Sequence, residues 1–230
     1  MPPAGVFFWQ DNEDGVHLVI TGVGRGIGHA LAVEALLRGW KVSGTVRKPG
    51  TAPAGVREHR ADMRDLEGLA ALAAQLDPLD VLINNAGVIG PARQAPLDMD
   101  FAGFAETLAI NTIAPLAMAQ AVVPHMRAGG RILTISSQMA WMGYAKSDRI
   151  AYRASKAAVN KVMQGLATDL RDRGIAVALI DPGWVRTDMG GLEAEEDPKR
   201  VAGGILDIAT RLDMTQTGQF LHWTGQKRDF

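Results

Sequence analysis

The sequence predicts a single α/β domain built on one doubly wound parallel sheet of about seven strands, with helices on both faces. Short apolar runs rich in β-branched residues alternate with longer segments of helical periodicity, and this alternation is typical of βαβ units. Several runs lack strict apolar–polar alternation, as expected when both faces of a strand are covered. The length of 230 residues suits one domain, and no repeat, linker or low-complexity tract divides it.

Four strands and two helices are predicted in the first half of the chain. The first helix is ended by Gly39, a residue type common after helix C-termini, and the second helix is rich in Ala and Leu. In chain order, these elements are the strand His17–Thr21, the helix Gly26–Arg38, the strands Lys41–Arg47 and Arg57–Arg60, the helix Arg64–Leu76 and the strand Asp80–Asn84.

Three further helices and three strands are predicted in the second half. Residues 1–15 are expected to form an added N-terminal arm, and residues 188–215 a short lid over the substrate. In chain order, the elements are the helix Phe101–Met126, the strand Arg131–Ser136, the helix Ile150–Arg173, the strand Ile175–Asp181, the helix Pro198–Leu212 and the strand Gln219–Trp223.

The composition excludes several classes of function. Lys and Arg number 24 and Asp and Glu 25, so the formal net charge of −1 offers no basic excess for binding nucleic acid or an anionic membrane. The absence of cysteine excludes disulfides and thiolate metal sites, and no metal site is predicted. No apolar run approaches the ~20 residues of a membrane span, and the N-terminus lacks the basic and apolar regions of a signal peptide. We therefore expect a cytoplasmic protein.

A glycine-rich turn follows the first strand directly, with the sequence Thr21-Gly-Val-Gly-Arg-Gly-Ile-Gly28. Glycine lets the backbone approach a pyrophosphate, and the N-terminus of the following helix offers free N–H groups and a positive dipole end. An isolated turn of this kind is as often an ordinary connection as a phosphate site. The candidate cofactor-binding residues here are Gly22, Arg25, Gly26, Ile27 and Gly28.

The charges around this turn favour NADP(H) over NAD(H). A site for NAD places an acidic residue about 20 residues beyond the turn, on the ribose 2′-hydroxyl. This chain has Arg47 at the end of the second strand, with Lys48 beside it and Arg25 inside the turn. A guanidinium suits a 2′-phosphate, which a carboxylate would repel. The alternative is that Arg47 is a solvated charge at a strand end.

A candidate catalytic pair, Tyr152 and Lys156, lies near the start of a predicted helix. Residues at i and i+4 share a helix face, and a nearby cation lowers the pKa of a phenol from ~10 by ~1–3 units. By itself the pair could be an ordinary surface pair. Polar residues at the ends of other elements strengthen the interpretation, although each alone is more often a cap or a core polar group: Ser136 and Ser137, Asn111, and the turn Asn84-Asn85-Ala86-Gly87.

Together and in this order, these elements resemble the short-chain dehydrogenase/reductase family over residues 16–226, including the spacing of Gly22, Gly26 and Gly28 and the segment Asp181-Pro-Gly-Trp-Val-Arg-Thr187. The resemblance implies a Rossmann-type fold with Tyr152 as general acid and base. Lys156 would lower the pKa of Tyr152 and hold the nicotinamide ribose. Ser137 would bind the substrate oxygen, and Asn111 would hold a water of a proton relay.

The resemblance also implies contacts with the cofactor. Asp62 and Met63 would meet the adenine, and the turn formed by Asn85, Ala86 and Gly87 would pass beneath the dinucleotide. Around the nicotinamide, the implied residues are Pro182, Gly183, Val185 and Thr187. In the family, helices matching the two long ones pair across a two-fold axis, which implies a homodimer or homotetramer.

One spacing departs from the usual family pattern. Ser137 and Tyr152 enclose fourteen residues, two more than usual, and this is similar to the branch that contains C-signalling-factor-like proteins and some small carbonyl reductases. The departure leaves open whether Ser136 or Ser137 faces the substrate. Residues that could wall the substrate pocket, or alternatively serve as core or subunit contacts, are Trp141, Met142, Tyr144, Trp184 and Met189.

The sequence therefore predicts an NADP(H)-dependent oxidoreductase that interconverts a small-molecule carbonyl compound and an alcohol. The alternative is an NADP-binding signalling or regulatory protein with vestigial catalysis. The intact set of Asn111, Ser137, Tyr152 and Lys156 favours the enzyme, because a binding protein has no need of Tyr152. An epimerase or dehydratase would need a longer C-terminal substrate domain than the roughly forty residues after Thr187.

Overall fold

Strands and helices alternate along the chain in the computed structural model, which describes residues 15–230, so the predicted arm lies outside the described residues apart from Gly15. The strands are β1 (His17–Ile20), β2 (Lys41–Val46), β3 (Arg57–Arg60), β4 (Leu79–Asn84), β5 (Gln94–Ala95), β6 (Asp98–Met99), β7 (Met126–Ile135), β8 (Ala176–Asp181), β9 (Phe220–His222) and β10 (Lys227–Arg228). The helices are α1 (Gly26–Leu37), α2 (Leu66–Ala73), α3 (Phe101–Leu108), α4 (Ala114–Val122), α5 (Ile150–Asp169) and α6 (Pro198–Arg211).

Eight of the strands form the main sheet, in the order β10-β9-β8-β7-β4-β1-β2-β3. All neighbours are parallel except β9 and β10, which confirms the predicted α/β fold. The strand order reverses between β1 and β4, and in open α/β sheets ligands bind in the crevice at the carboxyl ends of such strands. The sequence indicates about seven strands. It does not indicate β10 or the small hairpin of β5 and β6, which are only two residues per strand.

The two faces of the sheet bury separate apolar clusters. Leu18 and Ile20 of β1 pack with α1 and α6 on one face, whereas Val19 between them packs with α2, α4 and α5 on the other. Successive strand residues point to opposite faces, so a strand covered on both must be apolar throughout. This is why β1, β4 and β8 show no polar alternation.

The predicted long helix at Phe101–Met126 is continuous only to His125, and it is irregular. A π-helical turn, Ala109–Ile113, separates α3 from α4, and the N–H of Ala114 donates to the carbonyl of Ala109. Pro115 has no N–H to donate to the carbonyl four residues earlier, which is that of Asn111. The missing α-helical bond accounts for the wider turn at one of the candidate catalytic residues.

The same helix differs from the expectation that no apolar run approaches the length of a membrane span. Residues 101–125 are long and apolar enough to cross a membrane by length and composition. Half of the most apolar part of this helix is buried inside the fold, where Met118 and Val122 are fully enclosed. A core helix passes the same test, so the helix is weak evidence for a membrane span.

Candidate active site

The glycine-rich turn has the backbone that a phosphate-binding loop requires. Gly22 and Gly26 adopt φ of +79° and +59°, in the left-handed region that side chains disfavour. A Cβ at Gly28 would collide with the carbonyl oxygen of Gly22, so this glycine allows α1 to pack closely on the loop. Helix α1 begins at Gly26, and the residue before it, Arg25, supplies no side-chain cap. The first turn of α1 is therefore available to an anion.

Two polar side chains fasten this loop to the end of β4. Thr21 accepts hydrogen bonds at Oγ1 from the backbone N–H groups of Asn85 and Ala86, at 3.0 and 3.1 Å. The side-chain amide of Asn85 in turn donates to the carbonyls of Thr21 and Gly22, at 2.9 and 3.0 Å. The predicted turn at residues 85–87 is thus held beside the glycine loop. The structural role of Thr21 could not be recognised from its position in the sequence alone.

A cleft of about 950 Å³ runs along the carboxyl ends of β2, β1, β4, β7 and β8. It begins beside Arg47 and Asp62 and ends beside Tyr152 and Thr187. Every predicted site residue lines it except two, Gly28 and Asn111, which lie behind its wall. The length and lining of the cleft suit a dinucleotide placed across the point where the strand order reverses.

The β2 end of the cleft carries an unneutralised cation. Arg47 is exposed, and it has no ion pair or hydrogen-bonding partner among residues 15–230. Asp62 also lies here, but Arg64 donates to it at 2.6 and 3.0 Å and, together with the weaker field of Arg47, lowers the pKa of Asp62 to about 2. Arg25 forms an exposed ion pair with Asp188 at 3.4 Å. The nearest carboxylate is therefore already paired, and Arg47 is left for an anion.

Ser137, Tyr152 and Lys156 converge at the other end of the cleft. Helix α5 buries Tyr152 and Lys156, which are 9% and 5% exposed. Ser137 lies close enough to the phenol of Tyr152 to lower its pKa, and the ammonium of Lys156 lies 5.7 Å from the centre of the phenol ring. The Nζ of Lys156 donates to the carbonyl of Ile135 at 2.8 Å rather than to the phenol oxygen.

Burial shifts the pKa values of Tyr152 and Lys156 against the direction expected for a simple ion pair. Desolvation raises the pKa of Tyr152 to about 12, and the field of Asp181 adds to this, whereas Ser137 and Arg149 oppose it. Desolvation also lowers the pKa of Lys156 to about 8. The sequence predicts a phenol pKa lowered by Lys156. The pKa of Tyr152 is instead raised, because the cost of burying the charged phenolate is the largest cause.

The two serines after β7 have different surroundings. Ser136 is buried and donates to Oδ1 of Asn160 at 2.6 Å. Ser137 is partly exposed to the cleft, accepts from the N–H of Met139 at 3.1 Å and meets the phenol of Tyr152. Of the two serines that the sequence leaves open, Ser137 is the one whose side chain is accessible from the cleft.

Substitution of the two serines should therefore separate activity from stability. Ser137→Ala is expected to lower turnover by ~10²–10³-fold, in the range found for the loss of one donor to a developing oxyanion. Ser136→Ala should lower the free energy of unfolding by ~1–3 kcal/mol, because it orphans a buried amide, while activity per folded molecule changes little. Thermal unfolding and steady-state rates of both variants check this. A larger loss of turnover in Ser136→Ala would reverse the assignment.

Asn111 connects elements of the site and does not touch the phenol. Its amide donates to the carbonyl of Val88 at 2.8 Å and to Oγ of Ser155 at 3.0 Å, and its Oδ1 accepts from the N–H of Val88 at 2.9 Å. Oγ of Ser155 then donates to the carbonyl of Tyr152 at 2.7 Å. The side chain of Asn111 thus fixes the loop after β4 against the first turn of α5, where Tyr152 lies.

Three further residues, Asp181, Gln94 and Arg149, also belong to the site, although none of them was assigned a role from the sequence. Asp181 is fully buried, pairs with Arg228 at 3.2 Å and accepts from the N–H groups of Gln138 and Gly183, which flank the cleft. Oε1 of Gln94, in β5, accepts from the N–H of Tyr152 at 3.2 Å. Arg149 precedes α5 with a φ of +51° and lines the cleft. Most of these contacts join segments that are distant in sequence, so no local pattern indicates the roles of these side chains.

The predicted pocket walls and lid are only partly near the cleft. Tyr144, Trp184 and Met189 line it, whereas Trp141 and Met142 do not. Trp141 packs edge-on against Tyr144, with ring centres 5.0 Å apart. Of the predicted lid at 188–215, only Asp188, Met189 and Gly190 reach the cleft, because α6 is packed against α1 with its apolar face buried.

Comparisons with known proteins agree with this geometry. Residues 16–198 match the family model of the short chain dehydrogenases. The chain is 40% identical over 152 residues to the C-signal of Myxococcus xanthus, covering 64% of this chain and 90% of that protein.

Solved structures show the same fold. A short-chain dehydrogenase/reductase from Burkholderia multivorans with bound NADP has a TM-score of 0.83 and 29% identity, covering 94% of this chain and 99% of that chain. Carbonyl reductase Sniffer of D. melanogaster has a TM-score of 0.86 and 26% identity, covering 93% and 99%. The chain therefore belongs to the short-chain dehydrogenase/reductase family and is related to the C-signal-like proteins within it.

Proposed function

We propose that this oxidoreductase uses NADP(H) to interconvert a carbonyl group of a small molecule and an alcohol. The observation that carries the proposal is the convergence of Ser137, the buried phenol of Tyr152 and the buried ammonium of Lys156 at the end of a cleft sized for a dinucleotide. Reduction is the proposed direction. With the pKa of Tyr152 raised to about 12, the phenol keeps its proton at neutral pH and can donate it.

The residues around the cleft fit NADP(H). The glycine positions at 22 and 26 admit no side chain without strain, and the uncapped first turn of α1 suits a pyrophosphate. Arg47 is free for a 2′-phosphate, with Lys48 and Arg25 nearby. The relative from Burkholderia multivorans has NADP in its structure, which supports the same assignment here.

The chemistry divides between cofactor and protein. When bound, NADPH supplies the hydride. Ser137 donates a hydrogen bond to the substrate carbonyl oxygen, and Tyr152 transfers its phenolic proton to the same oxygen. Lys156 stabilises the phenolate that remains and, with a pKa lowered to about 8, can exchange protons near neutral pH. In the oxidative direction the phenolate of Tyr152 removes the hydroxyl proton of the alcohol.

A second candidate function is an NADP-binding signalling or regulatory protein, favoured by the 40% identity to the C-signal. Oxidation of NADPH with a panel of aldehydes and ketones separates the two. An enzyme should show turnover with at least one member of the panel. NADPH binding without turnover on any of them would favour the regulatory function.

We also propose an oligomeric state, a class of partner and a cellular location for the protein. Phe101 and Ile113, on the long helix of residues 101–125, are 77% and 50% exposed, which suits a homodimer or homotetramer formed through this face. The near-neutral charge continues to favour small-molecule partners over nucleic acid or membranes, and a cytoplasmic location is proposed with them.

The choice of cofactor is tested at Arg47. Arg47→Asp should weaken NADPH binding by ~10–100-fold, because it removes a charge-assisted contact worth ~1.5–3 kcal/mol and adds repulsion. NADH binding should change much less. Arg60→Asp, an exposed strand-end residue outside the cleft, is the matched control. Equal affinity of the wild type for NADH and NADPH, or the same effect in Arg60→Asp, would contradict the assignment.

A further inference from the structure

Arg149 has an unusual conformation at the substrate end of the cleft. Among residues 15–230 it is the only residue other than glycine with a positive φ, at +51°. Such outliers persist where the surrounding structure determines them, and they are concentrated at functional sites. Arg149 lies one helical turn before Tyr152, close enough for its charge to lower the pKa of the phenol. The backbone thus holds a cation beside the reacting group.

Other charged side chains at this end are already neutralised or occupied. Arg153 pairs with Asp148 at 2.9 Å and also donates to its carbonyl. Lys156 is buried and donates to the carbonyl of Ile135. These groups contribute little net charge to the open part of the cleft.

Two other cations at this end of the cleft, Arg149 and Lys146, are neither buried nor paired with another described residue. Both are exposed and line the cleft, and neither side chain has an ion pair or hydrogen bond within the described part of the chain. Asp148 lies between them in sequence, but its carboxylate is held by Arg153. The mouth of the cleft is therefore cationic beside Tyr152, while Trp184 and Met189 supply apolar surface on the opposite loop.

We propose that the substrate is a carbonyl compound with an apolar body and an anionic group, and that Arg149, with Lys146, binds that anion. This proposal rests on the proposed function, because the bound anion is part of a substrate only if the protein reduces carbonyl compounds. A guanidinium has five donors in a rigid fork, which matches a carboxylate or a phosphate. A cation fixed near the phenol would also orient the carbonyl toward Ser137 and Tyr152.

The test compares matched substrates in the NADPH-loaded enzyme. The probes are 3- and 4-carboxybenzaldehyde, each with its methyl ester, which has the same carbonyl and no charge. Two variants change Arg149: Arg149→Asn suits a left-handed backbone, and Arg149→Lys keeps the charge. The control is Lys161→Asn, at an exposed site of α5 outside the cleft.

In the wild type, the KM of at least one acid should be ~10–100-fold below that of its ester, in line with a charge-assisted contact. Arg149→Asn should remove most of that ratio, Arg149→Lys should keep part of it and Lys161→Asn should leave it intact. Any effect of Arg149 on the phenol of Tyr152 acts on the acid and the ester alike, so it does not change the ratio of their KM values. A ratio near one in the wild type, or a ratio that survives Arg149→Asn, overturns the proposal.

Binding of benzoate and benzamide to the NADPH-loaded protein, measured by calorimetry, keeps the two proposals separate. If no aldehyde is reduced, the proposed function fails. Benzoate binding that Arg149→Asn abolishes would still support the anion site. Equal binding of benzoate and benzamide, or a loss of NADPH affinity in Arg149→Asn that accounts for the whole effect, would overturn it.

Discussion

Tyr152→Phe is expected to lower carbonyl reduction by at least ~10²–10⁴-fold, the typical contribution of general acid catalysis. The substitution keeps the ring, which is 9% exposed on α5, and removes only the hydroxyl that meets Ser137. The fold should survive. NADPH binding should change little, because the glycine loop, Arg47 and Lys156 are all retained.

The chain contains a natural control for this substitution. Tyr144 is the second of its two tyrosines, lines the same cleft and is 42% exposed. Tyr144→Phe should keep turnover within a few-fold of the wild type. Steady-state rates with a substrate found in the panel, NADPH affinity by fluorescence and thermal unfolding are the measurements. Near wild-type turnover in folded Tyr152→Phe would mean that another group supplies the proton.

Lys156→Met is expected to impair catalysis and cofactor binding together. Lys156 is the proposed contact of the nicotinamide ribose and the cation that stabilises the phenolate of Tyr152. Both roles end when the ammonium is removed, so kcat and NADPH affinity should each fall by ~10-fold or more. Lys161→Met, on the exposed face of α5, is the control. A fall in kcat with unchanged NADPH affinity would contradict the proposed contact between Lys156 and the nicotinamide ribose.

The same variant should change stability in a pH-dependent way. The pKa of Lys156 is about 8 in the folded protein and near 10.5 when unfolded, so the unfolded chain binds more protons between these values. Wild-type stability should therefore rise with pH across that window, and the burial penalty should be fully present below pH 8. Cofactor-free Lys156→Met should lack this rise and unfold at a higher temperature at pH 7. Thermal scans of both proteins across the window check the sign.

Local sequence patterns predict the parts of the fold and site that depend on neighbouring residues. The apolar strands, the glycine spacing at 22, 26 and 28, and the i, i+4 pair of Tyr152 and Lys156 are of this kind. The pKa values were not predictable in the same way. A pattern shows a cation four residues from a phenol, but it does not show that both are enclosed by the fold.

Other features depend on contacts between distant segments. Two examples are the left-handed backbone of Arg149 and the ion pair between the buried Asp181 in β8 and the partly exposed Arg228 in β10. The sequence predicts a short lid at residues 188–215, but the buried apolar face of α6 fixes most of that segment against α1. The prediction of one long helix over residues 101–126 missed the irregular turn at Asn111, although the missing N–H of Pro115 is a local signal for it.

The most direct test of the central claim follows the hydride itself. NADPH carrying deuterium at either face of nicotinamide C4 is incubated with the wild type and the carbonyl panel, and the alcohol is analysed by mass spectrometry. We expect deuterium to reach the carbinol carbon from only one face of nicotinamide C4. Tyr152→Phe should lower the rate of this transfer by at least ~10²-fold. An alcohol product without deuterium from either face, or no alcohol from any carbonyl compound despite tight NADPH binding, would contradict the central claim.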